Sequence, residues 1–81
     1  MNCRVLLFAR ARDLAGAAET MVVLPDNATV ADLRRCLAAS CPSLASLIER
    51  CAVAVNGEFA GETQRILPDQ ELALLPPVSG G

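Results

Sequence analysis

The chain has no histidine, lysine, tyrosine or tryptophan, and its two aromatic residues are Phe8 and Phe59. Without histidine the commonest general acid–base side chain is missing. Without lysine there is no Schiff-base nucleophile and no phosphate-loop lysine. Catalysis by this chain alone is not expected from such an inventory. Two aromatics are too few for a base-stacking platform, and a net charge of −2 gives no electrostatic reason to bind nucleic acid. The longest uncharged apolar runs, Val5 to Ala9 and Ala52 to Val55, fall far short of a membrane span. Met1 to Arg4 leads into apolar sequence without a signal-peptide cleavage pattern. A cytoplasmic protein without membrane or nucleic-acid partners is the expectation.

The four cysteines, Cys3, Cys36, Cys41 and Cys51, lack the spacing a metal site needs. No CxxC pair and no histidine accompany them, so zinc is poorly supported. Cys36-x4-Cys41 matches the first spacing of plant-type ferredoxins, which demands another cysteine two residues on. The next here is Cys51, and Cys36 falls within a predicted helix. Four reduced, mostly buried thiols are expected, with no bound metal.

What is present fits one small domain of 81 residues. Its hydrophobic fraction of 53 % exceeds what so small a core requires, which points to apolar surface kept for a partner. Asn2 to Ala9 reads as a strand, with Cys3, Val5 and Leu7 on one face and Arg4, Leu6 and Phe8 on the other. Both faces carry apolar residues, so Leu6 and Phe8 need an explanation beyond a one-sided core. Arg10 to Ala18 reads as a solvated connection, and Glu19 to Leu24 as a second strand. There Thr20, Val22 and Leu24 share a face opposite Met21 and Val23.

Thr29, with Asp32 three residues on, marks a helix start. Val30, Leu33, Leu37 and Cys41 form its expected buried stripe, and Pro42 ends it near Ser40. Ser43 to Arg50 predicts a shorter helix capped by Ser43. Cys51 to Val55 predicts a strand that turns at Asn56-Gly57 into Glu58 to Ala60. After a loop and a turn at Pro68-Asp69-Gln70, Glu71 to Leu75 reads as the last strand. A sheet of four or five strands packed on one main helix is an α+β architecture.

The chain then leaves as a thin arm, Pro76-Pro77-Val78-Ser79-Gly80-Gly81, so residues 1–75 form the domain and 76–81 an extended tail. The prolines hold φ at about −65° and disfavour helix before them. Six extended residues reach roughly 20 Å. A terminal carboxylate is a poor electrophile until a partner adenylates it; a sulfur nucleophile can then replace the phosphate ester. Glycine suits that task because no Cβ obstructs attack.

The tail Leu74-Leu75-Pro76-Pro77-Val78-Ser79-Gly80-Gly81 closely resembles that of the small, sulfur-carrying subunits of molybdopterin synthase. Phe8-Ala9-Arg10 with Leu14-Ala15-Gly16, Thr29-Val30-Ala31-Asp32-Leu33 and Ala54-Val55-Asn56-Gly57-Glu58 resemble the same family, so the likeness spans essentially the whole chain. One departure is Asp69-Gln70, where that family often has Gly-Asp. Glycine would supply a positive φ that aspartate tolerates less well.

The resemblance implies a ubiquitin-like β-grasp with the last strand beside the first. It implies that an activating enzyme related to ubiquitin-activating enzymes adenylates Gly81 using ATP and Mg, neither bound by this chain. A persulfide sulfur donor protein then converts Gly81 to a thiocarboxylate. The arm, Pro76, Pro77, Val78 and Ser79, with Gly80 and Gly81 as its reactive end, enters a large synthase subunit in a heterotetramer of two small and two large subunits. There it gives sulfur to cyclic pyranopterin monophosphate. By parity and by resemblance, Phe8, Phe59 and Leu75 form a hydrophobic docking patch. Alternatives are a carrier for thiazole or tRNA thiolation, a ubiquitin-like protein modifier, and an interaction module with an inert tail.

Overall fold

The computed structural model describes residues 1–77, so the expectations for Val78, Ser79, Gly80 and Gly81 lie outside the described residues. Five strands, β1 (Asn2–Leu7), β2 (Glu19–Val23), β3 (Ala52–Val55), β4 (Glu58–Phe59) and β5 (Leu72–Leu75), form one sheet in the order β2-β1-β5-β3-β4. The central pair, β1 and β5, is parallel, and the other neighbours run antiparallel. The helices are α1 (Ala9–Ala15), α2 (Val30–Ser40) and the single turn α3 (Ala45–Ile48), which follows a 3-10 turn at Pro42–Leu44. This is the α+β, β-grasp architecture, with the last strand beside the first.

Alternation along the strands sends Val5, Leu7, Val53, Val55, Leu72 and Leu74 to one face, where each is buried. Val30, Leu33 and Leu37 meet them from α2, and Leu24, Leu44, Ile48 and Ile66 close the core. Each leucine or isoleucine so buried contributes about 1.5–3 kcal/mol of transfer free energy. The start of α2 is fully satisfied. Asp32 N–H donates to Thr29 Oγ1 (3.3 Å) and Thr29 N–H to Asp32 Oδ2 (2.9 Å), forming a capping box. The next two amides reach the 61–67 loop, Val30 N–H to Gln64 O (3.0 Å) and Ala31 N–H to Glu62 O (3.1 Å).

The expected connection from Arg10 to Ala18 is corrected: most of it is helix α1. Its ARARDLA sequence is rich in strong helix formers, but one residue, Ala11, is fully buried. An element so short shows no apolar period to read. Gly16 ends it at φ 71°, a conformation that favours glycine, and its N–H donates to Arg12 O (2.9 Å). Cys41 is also corrected. It stands just past α2 at φ −133°, half-buried rather than on the inner stripe. The predicted second helix is split, with Pro42 at the start of the 3-10 turn and no side-chain cap from Ser43. Asp69 takes φ 68° in its turn, the conformation glycine would adopt freely.

Candidate functional site

The parallel ladder of the two central strands builds the site. Val5 pairs with Leu72, Leu6 with Ala73 and Leu7 with Leu74. Because the strands run the same way, both end at the same edge of the sheet. Phe8 follows Leu7 in extended conformation (φ −124°, ψ 155°), and Leu75 follows Leu74. Both therefore lie one step past the last rung, on the face opposite the helix. Phe8 is 44 % exposed and Leu75 half-buried. Pro76, half-buried, and Pro77, exposed, continue from β5 at this edge, so the arm starts beside Phe8.

Phe59 reaches the same face by another route. Ala73 pairs with Ala54 across β5 and β3, and Ala54 with Phe59 across β3 and β4. Leu6, Ala73, Ala54 and Phe59 thus form one row across four strands, which are spaced about 4.8 Å apart. The two alanines make a low floor roughly 10 Å wide between Leu6 and Phe59, given that spacing. Phe59 is 78 % exposed, the most open large apolar side chain among the described residues. Phe8, Leu75 and Phe59 consequently share one face. Phe8 and Leu75 are neighbours, whereas Phe59 stands across the alanine floor at the β4 edge.

The face continues past what the sequence reading assigned to a site. Met21 pairs with Arg4 on β1, and both Met21 and Val23 are exposed. Their alternation with Val22 and Leu24 was the available signal. Arg4 and Glu19 form an ion pair at 3.6 Å, each more than half exposed, which adds little stability. Leu67 is a further exposed apolar residue on the loop before β5.

Among the described residues this face carries no cysteine, serine or threonine. Cys3 and Cys51 are buried, and desolvation raises both thiol pKa values, opposed by the amino-terminal charge at Cys3 and by Arg34 at Cys51. Cys36 and Cys41 are half-buried, away from this face on and just after α2. Among the described residues no group of three His, Cys, Asp or Glu is placed to hold a metal ion. No helix among them is long and apolar enough to cross a membrane. The described domain therefore offers a shaped apolar surface at the root of an arm.

Residues 5–81 match the model of the ThiS family. The chain belongs to the ThiS family. Within it, the chain is 35 % identical over 83 residues to the molybdopterin synthase sulfur carrier subunit of Chlamydomonas reinhardtii, covering 100 % of both. The crystal structure of SAMP1 from Haloferax volcanii superposes with a TM-score of 0.89 at 32 % identity, again over 100 % of both chains. A complex of subunits 1 and 2 of the molybdopterin-converting factor from Helicobacter pylori contains a chain matching at TM-score 0.69. At 21 % identity that likeness speaks for the ThiS-family fold alone.

Proposed function

We propose that this chain is the sulfur carrier subunit of molybdopterin synthase. The observation that carries the reading is the shared edge where Phe8, Leu75 and Pro76 meet, together with full-length likeness to a subunit of that name. A partner seated on Phe8, Leu75 and Phe59 would receive the arm at the start of its own cleft. Burying aromatic and leucine side chains gives such an interface its anchors.

The chemistry is confined to the carboxylate of Gly81. One carboxylate oxygen attacks the α-phosphorus of ATP on an activating enzyme, and pyrophosphate leaves. A persulfide sulfur then attacks the acyl carbon and AMP departs, leaving an acyl disulfide; a thiolate attacks the donor's sulfur, forming a disulfide on the donor and expelling the terminal thiocarboxylate. Inserted into the large subunit, its sulfur attacks a carbon of cyclic pyranopterin monophosphate and displaces an oxygen group; water hydrolyses the resulting thioester and returns the Gly81 carboxylate, and two such donations build a dithiolene. ATP and Mg belong to the activating enzyme, and acid–base groups to the large subunit in a heterotetramer with two copies of each chain. The absence of histidine and lysine here agrees with that division.

A protein-modifier role is the second reading, supported by the likeness to SAMP1, the small archaeal modifier protein 1 of Haloferax volcanii. It uses the same adenylate but ends in an amide to a target lysine. Appending one residue after Gly81 tests the shared premise. Sulfur transfer should be abolished while the domain stays folded, and retained transfer would refute a terminal-carboxylate mechanism.

A further inference from the structure

Four described residues other than glycine have positive φ: Ala9 (50°), Asn27 (65°), Asn56 (51°) and Asp69 (68°). Three are asparagine or aspartate, whose short polar side chains tolerate this region. Ala9 has no such excuse, and it directly follows Phe8. Its methyl is exposed, so no packing of its own side chain compensates for the conformation. Backbone strain of this kind persists where the surroundings hold it, and it concentrates at functional sites.

The surroundings here are specific. Phe8 is extended, while Ala11 N–H (3.1 Å) and Arg12 N–H (3.4 Å) already donate to Phe8 O as α1 begins. At the first residue of α1, directly after the extended Phe8, a single left-handed residue reverses the chain. The reversal lets Ala11 reach the core, fully buried, and lets α1 pack on the 3-10 turn and the end of β5. Phe8 meanwhile stays on the opposite face of the sheet. An extended Ala9 would prolong β1 and carry α1 away from its packing site.

We infer that Ala9 is a positioning residue for docking: its left-handed turn holds Phe8 on the outer face beside Leu75. This rests on the docking role proposed above for Phe8. Ala9→Val tests it, because a β-branched residue resists positive φ yet meets open solvent at this exposed position. Ala9→Gly is the rescue, since glycine adopts the turn freely. Val30→Ala is the control, being a destabilising truncation in the core, away from this face.

The readout is affinity for purified large subunit of molybdopterin synthase, measured on full-length variants well below each melting temperature. Ala9→Val should bind about tenfold more weakly, while Ala9→Gly and Val30→Ala stay within about twofold of the parent. If Ala9→Val binds like the parent while Phe8→Arg does not, the positioning role is wrong and the docking role stands. If Phe8→Arg also binds like the parent, the docking role itself fails. Equal losses in Ala9→Val and Val30→Ala would overturn the inference as well, by showing that lost stability alone sets affinity.

Discussion

Leu7 and Leu74 form the last rung of the parallel ladder between β1 and β5, so both strands run out at one edge of the sheet. The placement of Phe8 and Leu75 beside the root of the arm follows from that pairing. Were the two strands antiparallel, Phe8 and the start of the arm would lie at opposite ends. The parallel arrangement in turn requires the crossover through β2, α2 and β3 that the rest of the chain supplies.

Phe8 and Leu75 are the residues to change first. Phe8→Arg or Leu75→Arg should weaken binding to the large subunit at least about tenfold, equivalent to roughly 1.4 kcal/mol. Both side chains are at least partly exposed, so circular dichroism and melting temperature should change little. Affinity equal to the parent's in both variants would remove the docking patch. Phe59→Ala should have a smaller effect, because Phe59 stands apart across the alanine floor.

The capping box makes a prediction about acid. Hydrogen bonding from the Thr29 backbone chiefly holds the Asp32 carboxyl below its ordinary pKa, opposed by partial desolvation and aided by the Thr29 hydroxyl and Arg35. A carboxylate with a lowered folded pKa stabilises the fold at neutral pH. That contribution begins to fade near the ordinary carboxylate pKa and is lost as pH falls through the folded value. Asp32→Asn should therefore flatten the acid limb of a stability-against-pH curve, and Thr29→Ala should cost about 1 kcal/mol at pH 7 by urea melts. An unaltered acid limb in Asp32→Asn would contradict the assignment.

Asp69 offers a backbone test. At φ 68° it pays for a turn that glycine makes without strain. Asp69→Gly should shift stability by less than about 1 kcal/mol, because relief of strain is offset by a looser unfolded chain. Asp69→Val should destabilise by at least about 1 kcal/mol. A stable valine variant would show that the turn has another accessible shape.

Arg34 is the polar staple of the fold. Its side chain donates to Ile48 O (2.6 Å), Cys51 O (2.8 Å) and Glu62 Oε2 (2.8 Å), tying α2 to the end of α3 and to the 61–67 loop. Arg34→Ala removes the donor to Cys51 O, while Ile48 O keeps the Cys51 N–H (3.1 Å), and should cost about 1–3 kcal/mol in a thermal or urea melt. Glu62→Ala should cost less, since that carboxylate is half exposed. Equal effects would mean that the carbonyl contacts contribute little.

Much of this molecule is legible in its residues, and the misses have physical causes. The α2 start was readable because Thr29 and Asp32 are local, three residues apart, with Val30, Leu33 and Leu37 at helical spacing. Two-faced alternation exposed Leu6 and Phe8 as surplus to the core. Helix α1 was missed because seven residues with one buried side chain carry no apolar period. Arg34 reads as one of two adjacent surface charges, since its partners at Ile48, Cys51 and Glu62 are distant in sequence. The neighbourhood of Phe8 and Leu75 depends on a parallel register 67 positions apart, which resemblance could supply but periodicity could not.

The central claim is that the chain's chemistry resides in one carboxylate, at Gly81. Intact-mass spectrometry after incubation with the activating enzyme, ATP, Mg and a persulfide donor tests it most directly. The account predicts a gain equal to one oxygen replaced by sulfur, located on Gly81 by fragmentation. A mass unchanged under conditions that charge an authentic carrier, or sulfur found only on a cysteine, would contradict it.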